Sequence, residues 1–229
     1  MDLRIPFIHK DPHSLILAMK ITTSITFVLT ALLLLMSACS SSQTKESKST
    51  TDTEIDTSKI IIVYLSRTNN TKVVAEIIQK NLGGKLLAIE LQNPYPENYQ
   101  ATVQQVAREN ETGYLPPLKT RIDSIQKYRT VFVGFPTWGM KLPPPMKSFL
   151  KSYDLAGKTI IPFNTHGGYG AGTSFETVKE LCPNSEVLEG FSIRGGLERD
   201  GEYLVIRDEK RKEAETSVKN WLQKIKLIK

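Results

Sequence analysis

Residues 66–71 read SRTNNT, six side chains of which three are hydroxyls and two are short amides. They stand where an apolar run, KIIIVYLS (59–66), gives way to a helical pattern marked by Val73, Val74, Ile77, Ile78 and Leu82. The N–H groups at a helix start have no intrahelical partner, and the helix dipole favours an anion there. Ser66, Thr68 and Thr71 add hydroxyls, and Asn69 and Asn70 add amides. This composition describes a cradle for a phosphate built mainly from neutral donors. The plainer alternative is an ordinary N-cap that uses one hydroxyl. A nucleotide-triphosphate loop is excluded, because G-x-x-x-x-G-K-[ST] is missing.

Two further loops carry useful residue types. FPTWGMKLPPPMKSFL (135–150) places Trp138 on a loop rich in glycine and proline. There the indole either stacks on a planar ring or folds back onto the core. NTHGGYGAG (164–172) offers glycines that let a ligand approach the backbone closely. Its G-x-G-x-G spacing, after the fourth strand, is a weak match to a dinucleotide fingerprint. His166 is placed to donate to a ligand or protonate a substrate, or else to order its own loop; no carboxylate that would orient it is evident. With no G-x-S-x-G and no Ser-His-Asp order, a hydrolase lacks support. No catalytic residue and no metal site are assigned.

The elements that must position these loops alternate along the chain. Residues 59–66, 86–91, 130–135, 159–165 and 186–193 are short, nearly continuous apolar runs, as in strands covered on both faces. Helical patterns separate them: the first is stopped by Gly83 and Gly84, and others span 99–109, 145–152 and 174–181. Ala214, Val218, Trp221, Leu222 and Ile225 mark the last. Five strand–helix alternations predict an α/β fold with a parallel sheet and helices on both sides. Ligands of such sheets lie beyond the carboxyl ends of the strands.

YLSRTNNTKVVAEII, VFVGFPTWGMKLPPPMKSFL and IIPFNTHGGYGAGTSFETVKELCP together resemble the three FMN-binding segments of the flavodoxin-like family. The resemblance covers about residues 59–226 and implies a three-layer, doubly wound fold with a five-stranded parallel sheet holding FMN. By position it implies that Ser66, Arg67, Thr68, Asn69, Asn70 and Thr71 hold the phosphate. Pro136, Thr137, Trp138, Gly139 and Met140 would flank the isoalloxazine on one side. Thr165, His166, Gly167, Gly168, Tyr169 and Gly170 would form the other wall. The family usually has glycine where this chain has Asn69. If that position needs a positive φ, Asn is the best replacement.

The N-terminal part reads differently. Residues 21–36 are nearly all apolar, follow Met19-Lys20 and run into MSACSSS. That is the order of an export signal, and MSAC (36–39) resembles a bacterial lipobox with Cys39 as the lipidated residue. An uncleaved anchor helix is the alternative, although the run is short of the roughly 20 residues of a comfortable span. Residues 1–18, with two aspartates and two prolines, make a poor signal start, whereas Met19 makes a conventional one. Residues 40–58 are serine, threonine and charge with Ile55 the only aliphatic residue, a composition that cannot offset its own ordering entropy. They predict a flexible polar tether that holds the 59–229 domain about 25 Å from its anchor. The expected location is outside the cytoplasm, on a membrane: the outer side of the cytoplasmic membrane, the periplasm or the outer membrane.

The chain has a formal charge of +6, and residues 1–38 contribute three basic and two acidic side chains, so the remainder carries +5. No basic block with interleaved aromatics argues for nucleic acid. The basic residues of the last helix form a solvated face or attract anionic lipid. A mildly basic domain differs from the acidic flavodoxins that dock on basic reductases. Cys182 is then the single other cysteine and reads as a buried structural thiol. Together these features predict a lipid-anchored FMN protein. It is either an electron carrier or an oxidoreductase linked to a quinone or NAD(P)H, with a quinol or redox protein favoured outside the cytoplasm. The alternative is a non-redox phosphate-ester-binding or scaffold lipoprotein of the same fold.

Overall fold

A computed structural model describes residues 56–229. The expected signal, lipobox and all but the last residues of the tether lie outside them. Asp56 accepts from Ser58 N at 3.1 Å and caps a short 3-10 turn, Thr57–Lys59, which leads into the first strand.

The strands are β1 (Ile60–Tyr64), β2 (Lys85–Ala88), β3 (Thr130–Pro136), β4 (Thr159–His166), β5 (Glu186–Val187) and β6 (Phe191–Arg194). The helices are α1 (Asn70–Leu82), α2 (Tyr99–Thr112), α3 (Pro144–Ser152), α4 (Ser174–Leu181) and α5 (Asp208–Lys224). Every pairing is parallel, in the order β2-β1-β3-β4-β5, with β6 also on β4. Strand order therefore reverses between β1 and β3, which opens a crevice at their carboxyl ends.

Alternation along the strands divides the core between two faces. Ile60, Ile62, Tyr64, Phe132, Ile161 and Phe163 face α1 and α5, where they meet Val74, Ile77, Ile78, Val218 and Leu222. Ile61, Val63, Val131, Val133, Phe135 and Ile160 face the other way, onto Met146, Phe149 and Leu150 of α3 and Val178 of α4. This is the three-layer, doubly wound arrangement. β3 carries glycine at 134 because the Phe163 ring lies over it; a Cβ there would come within 2.0 Å of that ring.

Two strands differ from the sequence reading. The run at 186–193 is one apolar stretch, yet it pairs as two pieces. The carbonyl of Glu189 accepts from Trp221 Nε1 at 3.0 Å, and Gly190 lies against the Phe175 ring, so the chain leaves the ladder between β5 and β6. The second strand ends at Ala88 instead of Leu91, because Leu91 pairs with Leu118 in an isolated antiparallel bridge. Cys182 is buried without a disulfide, and burial pushes its thiol up to about 11. No helix among the described residues is long and apolar enough to cross a membrane.

Candidate functional site

The first loop joins the end of β1 to the start of α1. Asn69 sits at the N-cap of α1 with φ 64° and ψ −3°, the left-handed conformation. Asn tolerates it better than any other residue with a Cβ, which accounts for Asn in place of glycine. Ser66 Oγ accepts from Lys72 N at 3.3 Å, and Asn69 O accepts from Val73 N at 3.0 Å. The N–H groups of Asn70 and Thr71 have no hydrogen-bond partner among the described residues, and both residues line the crevice. Such a pair at a helix start is a ready anion site.

The remaining side chains of the loop divide between ligand and scaffold. Thr71 is buried, and its hydroxyl meets that of Thr165 at 2.8 Å. Thr68 Oγ1 accepts from Asn70 Nδ2 at 2.9 Å. Asn70 itself is committed to the fold: its Oδ1 accepts from Val205 N and Ile206 N at 2.9 and 3.0 Å, and its Nδ2 donates to Tyr203 O. Arg67 is committed as well. Its Nε donates to Glu198 Oε2 at 2.7 Å, and its terminal nitrogens reach Pro96 O at 3.0 Å and Glu97 O at 2.6 Å. The guanidinium thus ties the first loop to two distant segments, and any phosphate here would be held by neutral groups.

The second and third loops are held to each other. Thr137 N donates to Thr165 O at 2.9 Å, and Thr137 Oγ1 donates to Gly170 O at 3.0 Å. Beneath them Asn164, fully buried, donates from Nδ2 to Thr137 Oγ1 at 2.7 Å and accepts from Ser192 Oγ at 2.9 Å. Trp138 and Lys141 close a tight turn with mutual backbone hydrogen bonds. Gly139 and Met140 at its tip have φ 56° and 61°. Met140 is a non-glycine residue in the left-handed region, a costly conformation that favours functional loops. It is held there because its carbonyl accepts from Thr173 N at 3.1 Å.

Trp138 is half-buried. It packs on the apolar cluster of the second face and meets the Tyr95 ring edge-on, with centroids 5.3 Å apart and planes at 87°. Tyr95 donates to the buried carboxylate of Glu109 at 2.5 Å, and burial together with that bond raises its pKa. His166 Nδ1 accepts from Gly168 N at 3.0 Å, so the ring orders its own loop. Burial, and then the positive Arg194, hold its pKa below the ordinary value.

A cavity of about 100 Å³ lies at the switch point. Arg67, Thr68, Asn70, Thr71, Pro136, Thr137, Trp138, Thr165, His166 and Gly167 all line it. Ser66, Asn69, Gly139, Met140, Gly168, Tyr169 and Gly170 do not; Tyr169 is 67% exposed on its loop. Four lining residues escaped the sequence reading: Tyr99, Gly196, Leu197 and Glu198. Gly196 admits no side chain, because a Cβ would lie 2.2 Å from the carbonyls of Glu202 and Tyr203. The signal for this fourth loop was the pair Gly195-Gly196, one residue past the apolar run at 186–193. Among the described residues no cluster could hold a metal ion.

A sequence profile described as Flavodoxin matches residues 59–204. The chain belongs to the flavodoxin family. A solved candidate flavoprotein from Bacteroides eggerthii DSM 20697 is 27% identical, with a TM-score of 0.60, over 75% of this chain and 99% of that one. A second, from Bacteroides uniformis ATCC 8492, is 22% identical, with a TM-score of 0.59, over 72% and 97%. A flavoprotein from Lactobacillus acidophilus NCFM, solved in complex with FMN, is 21% identical, with a TM-score of 0.50, over 60% and 93%. No curated protein matches.

Proposed function

We propose that this flavodoxin-family protein binds FMN and transfers electrons while tethered to a membrane by lipid on Cys39. The observation that carries the reading is the start of α1. The N–H groups of Asn70 and Thr71, without a partner among the described residues, follow a left-handed Asn69, and both residues line a crevice walled by the Trp138 loop and the His166 loop. The L. acidophilus flavoprotein of this fold, solved with FMN, supports the same cofactor.

The residues fit that group. The inner cavity of about 100 Å³ is below the roughly 300–1,000 Å³ of a whole small-molecule site, so it suits the phosphate end. The second and third loops, with Trp138 on one and Tyr169 on the other, would hold the planar ring. When bound, FMN supplies the redox chemistry. The chain's own part is to hold the phosphate through Thr68, Thr71 and the α1 N–H groups, and to order the walls through Thr137, Asn164 and His166. Outside the cytoplasm a membrane quinol or a redox protein is the fitting electron donor.

Two observations test this. The purified protein is expected to be yellow and to release FMN on denaturation; a colourless protein that takes up no FMN overturns the cofactor. Cys39→Ser is expected to leave the precursor uncut or release the protein from membranes. Processed, tightly bound Cys39→Ser product overturns the anchor.

A further inference from the structure

Helix α2 turns a regular stripe toward empty space. Tyr99, Val103, Val106, Ala107 and Asn110 recur at helical spacing on one side. A stripe of this kind ordinarily packs on the core. Here it lines a cavity of about 330 Å³, closed on the far side by the turn at Trp138 and Gly139. Val103 is left 42% exposed. The cavity adjoins the crevice at the switch point, and Arg67, Tyr99, Thr137, Trp138 and Glu198 line both.

The lining defines a chemistry. Its middle is apolar and aromatic. Its ionisable side chains balance: Arg67 and Lys141 against Glu111 and Glu198, with Arg67 already spent on Glu198 at 2.7 Å. A pocket without net charge, apolar at its centre, disfavours an ionised ligand, because the lost hydration is not repaid. Its volume is at the lower end for small-molecule sites, about 300 Å³ upward, which suits one or two rings and excludes a dinucleotide. The polar end offers donors. Asn110 Oδ1 accepts from Lys147 Nζ at 2.8 Å, and its amide N–H₂ has no partner among the described residues; Lys141 lines the same cavity.

We propose that this cavity is a binding site for an uncharged one- or two-ring aromatic molecule bearing a carbonyl, seated between α2 and Trp138. The carbonyl accepts from Asn110 or Lys141, and the rings lie against Val103, Val106 and the indole. Its significance as a reactant site rests on the FMN reading above, since the shared Trp138 wall places the ligand beside the flavin cleft. Binding itself does not depend on that reading.

The test uses the full chain, purified in detergent, with and without FMN. The probe is 2-acetylnaphthalene, followed by saturation-transfer NMR and calorimetry. Its anionic counterpart is 6-acetyl-2-naphthoate. Saturable binding of the neutral probe is expected with FMN present or absent. The naphthoate should bind at least about tenfold more weakly, as desolvation of its charge requires. Ala107→Trp fills the cavity from an exposed helical position and should weaken the neutral probe by about tenfold or more. Val103→Glu, also exposed, should do the same by charge. Both variants should keep the wild-type FMN affinity and melting temperature. The proposal is overturned if the neutral probe does not bind, if FMN displaces it, if the naphthoate binds as well, or if neither substitution weakens it. Failure of FMN to bind overturns the flavin reading instead, and the probe titrations on the cofactor-free protein still decide this one.

Discussion

The hydroxyls of Thr71 and Thr165, 94 positions apart, meet at 2.8 Å in the buried floor of the crevice. One belongs to the first turn of α1 and the other to the end of β4. A hydroxyl pair has one more donor than its mutual bond consumes. The second O–H is therefore left for another acceptor, and Thr71 and Thr165 both line the cavity. The first turn of a helix and the end of a central strand thus meet in one candidate anion site.

Asn69 is expected to act through its backbone conformation. Asn69→Gly should leave stability and FMN affinity near wild type, since glycine adopts φ near 64° freely. Asn69→Val should destabilise the domain by about 1–2 kcal/mol, the cost of a left-handed residue with a branched Cβ. Urea unfolding of the three proteins checks this, and a valine variant as stable as wild type would contradict it.

His166 should make stability depend on pH. Its folded pKa is depressed by burial and then by Arg194. The unfolded chain therefore binds more protons in the window between the folded value and the ordinary value of about 6.5, and stability rises with pH there. The contribution is complete above that ordinary value and is lost as pH falls below it. His166→Gln should flatten the profile of melting temperature between neutral and mildly acidic pH. An unchanged slope in the variant would assign the dependence to other groups.

Trp138 is expected to contact the flavin ring while resting on Tyr95. Stacking adds about 0.5–1.5 kcal/mol beyond burial, so Trp138→Ala should loosen FMN several-fold or more and raise flavin fluorescence. If affinity and reduction potential are both untouched, the indole serves the core alone.

Much of the frame was legible in the residues themselves. α1 announces itself by period and by its Gly83 stop, and α4 has the bounds its pattern predicts, because local spacing reports local structure. The strand–turn–helix order placed three loops at one edge before any contact was known. What remained hidden depends on partners distant in sequence. Arg67 reads as a phosphate ligand until Glu198, 131 positions away, takes its guanidinium. Asn70 reads as a donor to a ligand until the 203–206 segment closes on its amide. The split of β5 from β6 follows from one indole N–H reaching Glu189 O, which no periodicity records. The fourth loop has neither period nor polar motif, only two glycines, Gly195 against the Asn70 side chain and Gly196 against the carbonyls of Glu202 and Tyr203.

The most direct test titrates the cofactor-free protein with FMN and with riboflavin, for wild type, for Thr68→Ala with Thr71→Val, and for Arg67→Ala. Each hydrogen bond to a charged group contributes roughly 1.5–3 kcal/mol. The double variant should therefore lose FMN by orders of magnitude and keep most of its riboflavin affinity, and Arg67→Ala should cost less than the hydroxyl pair. Equal losses for both ligands, or a larger loss from Arg67→Ala, would contradict a phosphate cradle made of neutral groups at the start of α1.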